Sequence, residues 1–286
     1  MKYPILLLAA ASLWSAEEAT RTIQKSFPLS GAQRSVFVCG INGGIRVSAD
    51  GGNEVRFSID EKLEAPSREV LDILKREVDV VFTHEGGAVR AGVKGPWSDR
   101  DCSSRDQGGR REGRRWEGRD TRIVHKFNVS VPRDAAIEIR TVNGGIEITG
   151  TSGPYKVNTV NGSIHLSDVE NAGEVNTVNG TVQAVYRANP SNDTKFRTVN
   201  GKLDLYFQPS LNADFQMKTV NGKAFTDFDM TSIPTAASTE SGSAGMKVIH
   251  RRGTLGQLRA GNGGPRISTE TVNGSILIHS LAKGRP

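Results

Sequence analysis

The chain has 286 residues, 32 glycines, 6% aromatic residues and a formal charge of +6 at pH 7. That charge is modest for the length and much of it sits in one segment, which argues against a uniformly basic nucleic-acid binder. Glycine-rich, aromatic-poor composition argues against a helical bundle and suits many short strands and tight turns in one elongated domain.

In chain order, Lys2 is followed by a weakly polar to apolar run from Ile5 to Trp14. This pattern predicts a signal peptide over 1–16, with an apolar stretch far short of the ~20 residues a membrane span needs. The expected location is therefore periplasmic or extracellular, with a mature start near residues 16–17. No cysteine follows that run directly, so no lipoprotein anchor is expected.

Residues 17–93 read as a strand-rich N-terminal part containing Val36-Phe37-Val38 and Val55-Arg56-Phe57-Ser58-Ile59. A helix is expected over 66–77: Pro66 suits its first turn, and Val70, Ile73, Leu74 and Val78 keep helical spacing. It is expected to cap one end of the repeat array. A strand pair through Val80-Val81-Phe82 and Ala88-Val89-Arg90 turns at Glu85-Gly86-Gly87.

Residues 94–119 break every pattern, since Trp97 and Trp116 are the only large hydrophobes among eight Lys/Arg and five Asp/Glu. Such a segment buries too little apolar surface to offset its ordering entropy and reads as a flexible insert. Its cluster Arg110, Arg111, Arg114 and Arg115, beside Trp116, is a candidate anion-binding site, because guanidiniums attract phosphate and an aromatic can stack. Interleaved acids weaken that field, and a solvated linker explains the same residues. Export leaves envelope polymers or lipids, rather than nucleic acid, as anionic partners.

The region 120–282 is organised by a repeat, followed by a tail over 283–286. Thr141-Val142-Asn143-Gly144 recurs at Thr159, Thr177, Thr198, Thr219 and Thr271, at intervals of 18, 18, 21, 21 and 52 residues. Degenerate relatives stand at Asn42-Gly43 and Asn262-Gly263, and the long interval is expected to hide one or two eroded coils. The corners are thus Asn42, Gly43, Asn143, Gly144, Asn161, Gly162, Asn179, Gly180, Asn200, Gly201, Asn221, Gly222, Asn262, Gly263, Asn273 and Gly274. Flanking residues alternate with period two: Ile139, Ile146 and Ile148, or Phe196, Leu203 and Leu205, on one face, and Glu147, His165 or Asp204 on the other. Asn-Gly is expected to supply the positive φ that tight turns require. The predicted fold is all-β, a β-solenoid of ~18–21-residue coils with Asn-Gly corners, one short helix near the N-terminal end and a disordered insert. A hairpin meander shares the pattern, and whether Thr159 or Val160 points inward depends on which of the two forms.

Chemistry-bearing motifs are sparse. Cys39 and Cys102 allow one disulfide, or a buried Cys39 and a loose Cys102, and no third ligand at zinc spacing makes either a metal site. His84, His125, His165, His250 and His279 are scattered and read as surface residues. Asp227 and Asp229 would share one strand face, as grouped acids do in solenoid enzymes acting on polysaccharides, but solvated acids at a strand edge explain them equally, and no basic partner is assignable. No cofactor motif is present.

Val129-Ser130-Val131-Pro132 leading into Ile137-Glu138-Ile139-Arg140-Thr141-Val142-Asn143-Gly144-Gly145-Ile146-Glu147-Ile148, followed by repeated Asn-Gly corners, resembles the bacterial putative adhesin family. The resemblance covers roughly residues 30–280 and implies an exported or membrane-attached β-solenoid, with no catalytic residues to carry over. The expected function is a non-catalytic envelope scaffold or adhesin-like binding protein whose partner is an envelope component, a glycan or an anionic polymer. The alternative is a polysaccharide-acting hydrolase or lyase.

Overall fold

A computed structural model describes residues 16–31, 33–95, 120–233 and 253–284. The expected signal peptide and most of the insert, including Cys102 and Arg110, Arg111, Arg114 and Arg115, lie outside the described residues, as does His250.

The described residues are all-β apart from one α-helix and a final 3-10 turn. The N-terminal part supplies β1 (Glu17–Pro28), β2 (Ser35–Cys39), β3 (Ile45–Asp50), β4 (Glu54–Ala65), α1 (Arg68–Glu77), β5 (Asp79–Glu85) and β6 (Ala88–Lys94). After the insert come β7 (Arg122–Pro132), β8 (Ala136–Arg140), β9 (Ile146–Thr149), β10 (Tyr155–Asn158), β11 (Ile164–Val169), β12 (Gly173–Asn176), β13 (Val182–Tyr186), β14 (Thr194–Arg197) and β15 (Leu203–Phe207). The last strands are β16 (Ala213–Asn221), β17 (Ala224–Thr226), β18 (Met230–Ser232), β19 (Gly253–Ala260), β20 (Arg266–Asn273) and β21 (Ile276–Ser280).

These strands form two open mixed sheets. The first runs β1-β4-β7-β3-β9-β11-β13-β15-β21-β17 and the second β18-β19-β16-β20-β14-β12-β10-β8-β2-β6-β5. From β8 to β15 successive strands alternate between the sheets, each pairing in parallel with the strand two places on. Each Thr-Val-Asn-Gly lies where the chain leaves the second sheet for the first. Strands β6 and β7, which flank the insert in sequence, lie beside β2 and β3 in the two sheets.

Parallel pairing in register places like residues over like. Ile45, Ile146, Ile164, Val182, Leu203, Ile276 and Ala224 succeed one another across the first sheet, all buried. Their partners across the core include Ile139, Val157, Val175 and Phe196 of the second sheet. At about 1.5–3 kcal/mol for each fully buried aliphatic side chain, this row is a main source of stability.

The helix begins at Arg68, because Ser67 caps it by accepting from the Val70 N–H; Leu71 and Leu74 are its buried residues. They pack with Leu63, Ala65, Val78 and Ile123, at the end of the sheets that holds β1 and β4. Gly86 and Gly87, at φ +55 and +82, make the turn between antiparallel β5 and β6.

Chain order and stacking order diverge at the far end. Strands β20 and β21 lie between β14 and β16 and between β15 and β17, so the C-terminal pair of strands is inserted between two earlier pairs. The long interval holds no further corner of the stack among the described residues. Asn262-Gly263 is a turn at the opposite edge: β19, antiparallel to β16, delivers the chain to the start of β20, where the Asn262 N–H donates to Asn212 Oδ1. Asn262 and Gly263 therefore do not belong with the other corners.

Candidate functional site

Each position of the repeated tetrapeptide has a separate task. The asparagines form one amide ladder in which every Nδ2 donates to the preceding Oδ1: Asn143 to Asn42, Asn161 to Asn143, Asn179 to Asn161, Asn200 to Asn179, Asn273 to Asn200 and Asn221 to Asn273, at 2.7–2.9 Å. Its first member, Asn42, donates to Ile123 O.

The threonines point inward. Thr159, Thr177 and Thr198 donate through Oγ1 to the carbonyls of Gly144, Gly162 and Gly180, and Thr271 and Thr219 to those of Gly201 and Gly274. Thr141 Oγ1, beside the divergent Gly43 corner, has no such partner. Outward-pointing valines leave Val142, Val160, Val178 and Val220 38–48% exposed.

The glycines are explained by contact rather than by backbone sign. Among the stacked corners only Gly43 has positive φ, +114. A Cβ on Gly162 would stand 2.0 Å from Gly144 O, and one on Gly180, Gly201 or Gly274 would meet the preceding corner's carbonyl as closely. Neighbouring corners approach so tightly that only hydrogen fits.

A second feature lies on the outer face of the first sheet. Register aligns Ser26, Arg56, Ser130, Ser48 and Thr149 in one row, and Gln24, Ser58, Asn128, Arg46 and Glu147 in the next. Together they line an open groove of about 670 Å³. Arg46 Nε pairs with Glu147 Oε2 at 2.7 Å, and Arg56 pairs with Asp50, which also accepts from Ser130 Oγ at 2.6 Å. Hydrogen bonds from Ser130 and the Gly52 N–H outweigh burial and hold the Asp50 carboxyl below the usual carboxylate range. The remaining liners are exposed Lys25 on β1 and Val47, Phe57 and Val129, which turn their side chains into the core, where each is 2% exposed.

Asp227 sits in a bend after β17, so it shares no strand face with Asp229. Its basic partners are His279, with Nδ1 at 3.2 Å from Oδ2, and Lys283, with Nζ at 3.5 Å from Oδ1. Burial disfavours the Asp227 carboxylate, but the His279 hydrogen bond, the Ser280 N–H and the Lys283 charge prevail, and its pKa is lowered. The other ring nitrogen of His279 is 3.3 Å from buried Asp204, and its ring stacks on Tyr206.

His165 is exposed and contacts Gln183. His125, expected on the surface, is instead 2% exposed, with Nε2 2.9 Å from Oε2 of buried Glu61, whose carboxylate also binds Arg21. Cys39 is buried and disulfide-bonded. Among the described residues no group of His, Cys, Asp or Glu suits a metal ion, and no helix is long and apolar enough to cross a membrane.

No protein-family model matches the chain, and no curated protein matches it in sequence. Among solved structures, a putative cell adhesion protein from Clostridium sporogenes ATCC 15579 is 10% identical, with 92% of this chain and 100% of that one covered and a TM-score of 0.44. A putative adhesin from Bacteroides fragilis NCTC 9343 is 10% identical, with 91% and 97% covered and a TM-score of 0.31. A putative lipid binding protein from Parabacteroides distasonis ATCC 8503 is 11% identical, with 91% and 96% covered and a TM-score of 0.26. Likenesses this distant carry no functional argument.

Proposed function

We propose that the chain is a non-catalytic, exported envelope scaffold of adhesin-like character, whose parallel strands wind as a β-solenoid of coils stacked through the Asn-Gly corners. The observation that carries this reading is the seven-asparagine ladder. Its amides, the glycines and every repeat threonine hydroxyl except that of Thr141 are engaged in joining one coil to the next, so the repeat generates length and stiffness rather than a reactive centre. Export is supported by the apolar run from Ile5 to Trp14 and by disulfide-bonded Cys39, since disulfides persist in oxidising compartments.

The test is capture of envelope components from extract by the purified chain, paired with a glycan array and with turnover assays on envelope and plant polysaccharides. Saturable capture without turnover is expected. The alternative, a polysaccharide-acting enzyme, draws on Asp227 lying between His279 and Lys283; turnover abolished by Asp227→Asn would establish it in place of the scaffold reading.

A further inference from the structure

We infer that the groove on the outer face of the first sheet binds a neutral polysaccharide that lies across the strands. This inference rests on the scaffold reading and names the class of its ligand. The groove's outward side chains carry polar ends on aliphatic stems, so a ligand that presents both hydroxyls and apolar C–H faces finds contact for each. Donors and acceptors are interleaved: the guanidiniums of Arg46 and Arg56 and the amide of Asn128 lie beside the carboxylates of Glu147 and Asp50 and the hydroxyl of Ser130. A sugar hydroxyl is both donor and acceptor, and a surface offering both within one hydrogen-bond length matches it.

Charge separates neutral from acidic polymers. Arg46 is already paired with Glu147 and Arg56 with Asp50, so an anionic ligand at either guanidinium would have to displace a carboxylate, and Lys25 on β1 is the one lining cation outside these pairs. The same pairs fix the guanidiniums for bidentate contact with a neutral partner while leaving them solvent-accessible, at 69% and 54% side-chain exposure. Strands recur about every 4.8 Å across the face. A chain of sugars laid across them meets polar groups at each step, and the row continues beyond Glu147 through His165 and Gln183.

The test is affinity electrophoresis of the purified chain through gels containing a β-1,4-glucan, a β-1,3-glucan, a galactomannan or polygalacturonate, at low and high salt. Retardation by at least one neutral polymer, equal at both salt concentrations, is expected. The double variant Arg46→Gln/Arg56→Gln should weaken apparent affinity at least tenfold, while Arg197→Gln, on the second sheet, should leave it unchanged; circular dichroism and urea midpoints check folding of each. Retardation by polygalacturonate alone, or by no polymer, or equally for wild type and the double variant, overturns the inference. Undiminished capture of an envelope component by the double variant overturns it while leaving the scaffold reading intact. Loss of both retardation and capture in the wild type removes both.

Discussion

Asn273 Nδ2 donates to Asn200 Oδ1 at 2.7 Å across 73 residues of sequence, and Asn221 donates to Asn273 in turn. Asn273, at the end of β20, is therefore an internal rung of the ladder, and Ile276 is packed between Leu203 and Ala224. Ile276→Ala is expected to cost about 2–5 kcal/mol. Hydrogen exchange should show protection falling in both β15 and β17, with β9 least affected. Loss confined to β21 would contradict this.

The corner glycines lead to a second expectation. A Cβ at residue 162 meets the Gly144 carbonyl, a backbone atom that cannot move without disturbing its own hydrogen bonds. Gly162→Ala should cost about 3 kcal/mol, the upper end for overpacking, and so rival Ile164→Ala. Exposed His165→Ala should stay within about 0.5 kcal/mol. Urea midpoints rank the three, and a Gly162→Ala protein as stable as wild type would refute the close-contact explanation.

Thr177 and Val178 invert the usual hydropathy expectation. Thr177→Val removes a 2.9 Å hydrogen bond and leaves half-buried Gly162 O short of a partner, at a cost of about 1 kcal/mol. Val178→Ser, at an exposed position, should change stability by less than about 0.5 kcal/mol. Thermal unfolding of both variants is the check, and the opposite ranking would mean the corner is turned the other way.

Much of this was legible beforehand. Period two assigned Ile146, Ile164, Leu203 and Ile276 to the core and Glu147 and His165 to the outer face, because alternation is a local property. The direction of Thr159 against Val160 was not, since it depends on which sheet each flanking strand joins. Nor was the place of Asn273, which is fixed by pairing of β20 with β14 and β16 and leaves no trace in spacing along the chain. The groove escaped for a related reason: Gln24, Arg46, Arg56, Asn128 and Glu147 come from five strands and share no motif. Their polar alternation within each strand was the one available signal. His125 read as a surface residue because its buried partner Glu61 is 64 residues away.

The Glu61 network adds a pH-dependent expectation. Burial raises the Glu61 pKa, but hydrogen bonds from His125 and Arg21 more than compensate, and it lies below the ordinary value of 4.5. A carboxylate with a depressed folded pKa contributes stability above its unfolded value and loses it as pH falls through the folded one. Glu61→Gln should therefore cost about 2 kcal/mol at pH 7. The gap to wild type should narrow below pH 4.5. Urea midpoints measured across that range check it, and a gap that stays constant to lower pH would exclude this linkage.

The order of rungs is tested most directly by disulfide trapping along the outward valines. Adjacent parallel rungs stand about 4.8 Å apart and alternate ones about twice that, while a disulfide needs Cα atoms within roughly 7 Å. Cysteine pairs at Val199 with Val272, and at Val272 with Val220, should oxidise readily, and a pair at Val199 with Val220 should not. Fast trapping of Val199→Cys with Val220→Cys, and none of Val199→Cys with Val272→Cys, would show that the strands stack in chain order and contradict the insertion of β20 and β21.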